Sequence, residues 1–69
     1  MEEIKIRDEF IKLGQLLKLA SLVEDGVEAK YVITDGLVKV NGEVDVRRGR
    51  KVYEGDVVSY DGKEIKVIR

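Results

Sequence analysis

At Gly36 the hydrophobic pattern of this 69-residue chain changes period, and that change limits the folds open to it. Before it, Leu13, Leu16, Leu17 and Ala20 fall at i, i+3, i+4 and i+7, which places them on one stripe of a helix of about two turns. Leu19, Leu22 and Val23 lie off that stripe and are expected to cover the corner to a second helix. Asp25 with Glu28 three residues on has the spacing of a helix start, and small and branched residues follow at Ala29, Val32 and Ile33 as its core face. Lys30 and Tyr31 are left on the exposed side, and Gly36 supplies a left-handed terminating residue.

After Gly36 the period is two. Leu37-Val38-Lys39-Val40 alternates as a strand and Asn41-Gly42 marks a turn. A two-residue loop there would set Val40 and Val38 against Glu43 and Asp45, whereas a three-residue loop sets them against Val44 and Val46; the consistent apolar face favours the longer loop. Val52, Val57 and Val58 return the chain to the sheet around Glu54-Gly55-Asp56. Asp61-Gly62 closes a last hairpin that pairs Tyr60 with Lys63 and Val58 with Ile65. At the start, residues 3–7 alternate as a strand, while Phe10-Ile11 fits an extended path or a helix start equally. The expected architecture is α+β, one domain over residues 1–69 with two short helices packed on a small, mainly antiparallel β-sheet.

The chain has no cysteine and no histidine, so disulfides and the common zinc sets are excluded and packing must hold the fold. No apolar run approaches the ~20 residues of a membrane span, and MEEIKI is not a secretory leader; a cytoplasmic protein without membrane contact is expected. The net charge of −1 conceals a gradient, from −3 over residues 1–36 to +2 over residues 37–69.

Arg47, Arg48, Arg50 and Lys51 crowd around Gly49 and read as an exposed basic loop. A solvated loop without a partner is the usual fate of a short charge run. Four cations in five residues of an acidic protein favour an anionic ligand instead, and arginine can hold two phosphate oxygens at once. Catalysis has little support. Ser21 and Ser59 lack an activating partner, no glycine pattern matches a nucleotide-binding loop, and no metal or cofactor is called for.

The spacing of Leu13, Leu17, Ala29, Ile33, Gly36, Val38, Val40, Asn41, Gly42, Val52, Gly55 and Asp56 resembles the S-four RNA-binding domain over about residues 12–58. GQLLKLA at 14–20 and RRGRK at 47–51 resemble its small free-standing bacterial form over nearly the whole chain. The resemblance implies a non-catalytic, monomeric protein that binds structured RNA, ribosomal RNA or a ribosomal subunit, in ribosome assembly or translation. By position it implies contacts from Lys18 on the first helix, Lys30 on the second, and Arg47, Arg48, Arg50 and Lys51 in the loop. Asp25-Gly26 stands where larger members carry Ser-Arg, which removes one inferred contact. The alternative reading is a protein-interaction adaptor that presents the basic loop to an acidic protein.

Overall fold

The computed structural model describes residues 1–69 and has the expected α+β class. In chain order the elements are β1 (Glu2–Lys5), β2 (Phe10–Lys12), α1 (Leu13–Leu19), α2 (Gly26–Thr34), β3 (Val38–Val40), β4 (Glu43–Val44), β5 (Lys51–Tyr53), β6 (Val57–Tyr60) and β7 (Lys63–Ile68). Five strands form one sheet in the order β1-β7-β6-β3-β4, antiparallel except where β1 runs parallel to β7. The other two, β2 and β5, pair antiparallel as a separate ribbon. That ribbon settles the ambiguity at Phe10-Ile11 in favour of the extended path, and it takes Val52 out of the main sheet.

Both helical stripes face the core as their spacing dictates. Leu13, Leu16, Leu17 and Ala20 of the first and Ala29, Val32 and Ile33 of the second are buried in one cluster with Ile6, Val38, Val40, Val52, Val58, Ile65 and Val67. Val23 is buried in the helix corner, but Leu19 remains more than half exposed. Asp25 caps α2 by accepting from the Glu28 amide at 2.8 Å, while the Glu28 carboxylate accepts from the Glu24 amide at 2.7 Å. The helix ends with paired bonds from the Leu37 amide to the Val32 carbonyl and from the Gly36 amide to the Ile33 carbonyl, Gly36 being at φ +76°. The end of α1 repeats this pattern with Ser21, at φ +59°, in the left-handed position.

The hairpin at Asp61-Gly62 has the expected register, with Tyr60 opposite Lys63 and Val58 opposite Ile65. The hairpin at Asn41-Gly42 does not. Its loop has two residues, at φ +53° and +84°, and Val40 faces Glu43 while Lys39 faces Val44. The expectation of a longer loop assumed that the returning strand needed an apolar face. In fact β4 is a two-residue edge strand with both residues exposed, Val46 lies outside it, and burial imposes no register on such a strand. Turn geometry decides instead.

A side-chain clasp joins this turn to the one before β6. Asn41 Nδ2 donates to Asp56 Oδ1 at 3.0 Å, Asn41 Oδ1 accepts from the Val57 amide at 2.9 Å, and Asp56 Oδ2 accepts from the Tyr53 amide at 2.8 Å. Two halves of the family-like motif, Asn41-Gly42 and Gly55-Asp56, thus meet in space to hold one turn against another.

Candidate nucleic-acid interface

No side chain caps the start of α1; carbonyls of the basic segment do so. The Leu13 amide donates to the Arg50 carbonyl at 2.8 Å and the Gly14 amide to the Arg48 carbonyl at 3.0 Å. Residues 48–50 are therefore fastened along the helix start, with their side chains set in relation to α1. Gly14 is the point of closest approach: a β-carbon there would lie 2.8 Å from Arg48 Cγ, well inside contact distance. The helix accepts a glycine, a poor helix former, where the arginine stem crosses it.

This interlock draws cations from separate elements together. Lys12 at the end of β2, Lys18 on α1 and Arg48 line one open cleft of about 340 Å³, whose wall includes Gly14, Gly26 and Gly49 and contains no acidic residue. The first turn of α2 forms its far side through Gly26 and Ala29. A cleft with one sign of charge concentrates counter-charge, and glycines allow a ligand to approach the backbone closely.

The remaining basic residues have different surroundings. Arg47 and Arg50 both pair with Asp45: Arg47 Nη2 lies 2.8 Å and Arg50 Nε 3.1 Å from Asp45 Oδ2. The Arg47 amide and Nε also donate to Asp45 Oδ1, so this carboxylate folds the segment back on itself. Hydrogen bonding from Arg47, outweighing the cost of burial, holds the Asp45 carboxyl below its ordinary value. Arg47 is still largely exposed, whereas the Arg50 side chain is only 28% exposed. Arg50 is thus part of the tether, and its assignment to a free loop is corrected.

Lys51 is also not in the loop. It begins β5, where its ammonium sits 4.7 Å above the centre of the Phe10 ring. With Arg47, Gly49 and Arg50 it borders a second hollow beside the cleft. Lys30 is exposed on α2 but lines neither space.

The structure therefore brings Lys18 and Arg48 together, sets Arg47, Arg50 and Lys51 beside them, and leaves Lys30 apart. It adds Lys12 and Gly14, which sequence reasoning passed over. Lys12 was hidden by the undecided path at Phe10-Ile11, because its direction follows only from the β2 register. For Asp45 a signal did exist, in an acid two residues before the first arginine of the cluster.

A family model for the S4 domain matches residues 4–68. The probable ribosome maturation protein RlbA of Bacillus subtilis (strain 168) is 51% identical over 59 residues, spanning 86% of this chain and 83% of that protein. The putative RNA-binding protein YbcJ of Escherichia coli (strain K12) is 40% identical over 58 residues, 84% of this chain and 83% of its own length. The solution structure of YbcJ from E. coli, described as containing an alfaL motif involved in RNA-binding, superposes with a TM-score of 0.77 at 34% identity. That match covers 100% of this chain and 89% of the other.

Proposed function

Given that this chain belongs to the S4 domain family and is a non-catalytic RNA-binding protein, we propose that its ligand is structured ribosomal RNA, bound in the cytoplasm during maturation of a ribosomal subunit. The observation that carries this reading is the acid-free cleft where Lys12, Lys18 and Arg48 converge from a strand, a helix and a loop. Side chains from three elements fix a surface rather than a flexible tail, which suits a ligand of defined shape such as a folded RNA. Arg48 is the central contact, Lys12 and Lys18 flank it, and Lys51 extends the charge beyond the cleft. Arg47 takes part through its exposed guanidinium, Arg50 mainly by holding the loop, and Lys30 contributes at the margin.

The similarity to a probable ribosome maturation protein supports the ribosomal assignment. Crosslinking in cells followed by sequencing of the bound RNA tests it, with reads expected to concentrate in ribosomal RNA helices and adjoining loops. An association that survives nuclease treatment would point instead to an acidic protein partner. In solution, engagement of about four phosphates gives a salt slope of roughly −3 to −4, a loss of about 50- to 150-fold in affinity between 50 and 200 mM salt. Arg48→Glu with Lys18→Glu should remove most binding while the melting curve stays cooperative, since both side chains are exposed.

A further inference from the structure

The ribbon of β2 and β5 has an outward face that the cleft does not use. Its register sets Phe10 opposite Tyr53, Ile11 opposite Val52 and Lys12 opposite Lys51. Alternation then divides the ribbon cleanly: Ile11 and Val52 pack toward the core, and Phe10, Lys12, Lys51 and Tyr53 share the other side. Two lysines directly across a strand pair repel one another and weaken the pairing. No acid relieves them, since the ion pairs of the protein are those of Asp45 with Arg47 and Arg50. Glu9 and Glu54 stand beyond the opposite end of the ribbon, and neither pairs with a lysine.

The aromatic half of this face is ordered. Phe10 and Tyr53 have ring centroids 5.9 Å apart, inclined at 51°, an arrangement that supports one ring with the other. Lys51 occupies the face of Phe10, while Tyr53 remains 43% exposed. An aromatic plate next to unneutralised cations matches one ligand chemistry in particular: a flat base that stacks, joined to phosphates that compensate the charge. Lys12 also lines the cleft, and Lys51 borders the adjoining hollow, so a strand leaving the cleft reaches this face without a gap in positive charge.

We propose that the outer face of the β2-β5 ribbon is a second RNA contact, where an unpaired nucleotide next to the paired region stacks on Tyr53 and its flanking phosphates lie against Lys12 and Lys51. The inference rests on the RNA reading of the cleft and adds a preference for unpaired segments at its border.

Backbone amide resonances of the full chain, followed by NMR during titration with heptauridylate and separately with a blunt twelve-base-pair RNA duplex, test it. Heptauridylate is expected to shift residues 10–12 and 51–53; the duplex should shift mainly Gly14, Lys18 and Arg48. Tyr53→Ala should weaken heptauridylate binding by about 5- to 150-fold, the range of a lost base stack, and leave duplex affinity within about twofold. Tyr53→Phe should bind like the parent, because stacking does not need the hydroxyl. Ribbon resonances unmoved by heptauridylate, or a folded Tyr53→Ala protein that binds it normally, would overturn the proposal while duplex binding leaves the cleft reading intact. Failure of the parent protein to bind either RNA would overturn both.

Discussion

Asp45 changes what the basic cluster means. Counted along the sequence, Arg47, Arg48, Arg50 and Lys51 are four equal cations, but one carboxylate holds two of them and only Arg48 points into the acid-free cleft. Because the folded Asp45 carboxyl titrates below its ordinary range, its tether is intact above the usual aspartate value and is lost as pH falls through the lowered one. Asp45→Asn should therefore flatten part of the acid limb of a plot of Tm against pH, measured from about pH 5 to about pH 2. A limb identical to the parent's would show that the tether adds nothing to stability. Gly14 is the complementary case. Gly14→Ala should change stability by less than about 1 kcal/mol, because the gain in helix propensity opposes the displacement of an exposed side chain. It should move Arg48 out of the cleft and reduce the salt slope of RNA binding by about 1, as loss of one phosphate contact does. Thermal melting and salt-dependent binding on the same protein separate the two effects.

Elements were legible from sequence where one face had to be buried. The stripes of α1 and α2 and the register at Asp61-Gly62 follow directly from apolar spacing, because a wrong choice would expose Leu17, Ile33 or Ile65, all of them fully buried. Leu17→Ala and Ile33→Ala should each destabilise by about 2–5 kcal/mol, read as a loss of urea midpoint or of folding altogether. Where burial is absent the pattern lost its authority. At β4 and just beyond it, Val44 and Val46 are both about half exposed, and matching them to Val38 and Val40 gave the wrong loop length. The same limit applies to the site: the loop cations were visible as a cluster, but their division between Asp45 and the cleft depends on contacts that no periodicity encodes. Nor does spacing show that Asn41 and Asp56 touch across 15 positions. Asn41→Ala should cost on the order of 2 kcal/mol, from the two side-chain bonds and the left-handed backbone that alanine resists. Chemical denaturation measures it, and RNA affinity of the folded fraction should be unchanged because the clasp lies outside the cleft.

At the scale of the molecule, the interface and the sheet are built by different parts of the chain, yet they share one core. Helices α1 and α2 supply the wall of the cleft on one side and the apolar stripes on the other, so the cleft proposed for RNA is backed by the residues that hold the protein together. No helix is long and apolar enough to cross a membrane. The sheet has a further property that bears on how the molecule comes into being. Strand β7 lies between β1 and β6, so residues 63–68 complete a sheet that residues 2–5 have waited to join. Contacts of such separation close slowly. During synthesis the helical hairpin leaves the ribosome well before its final partner strand, and the apolar sides of Ile4 and Ile6 remain uncovered until Ile65 and Val67 emerge. A chain arrested before residue 63 should consequently stay sensitive to protease, and resistance should appear in one step once β7 has cleared the exit channel.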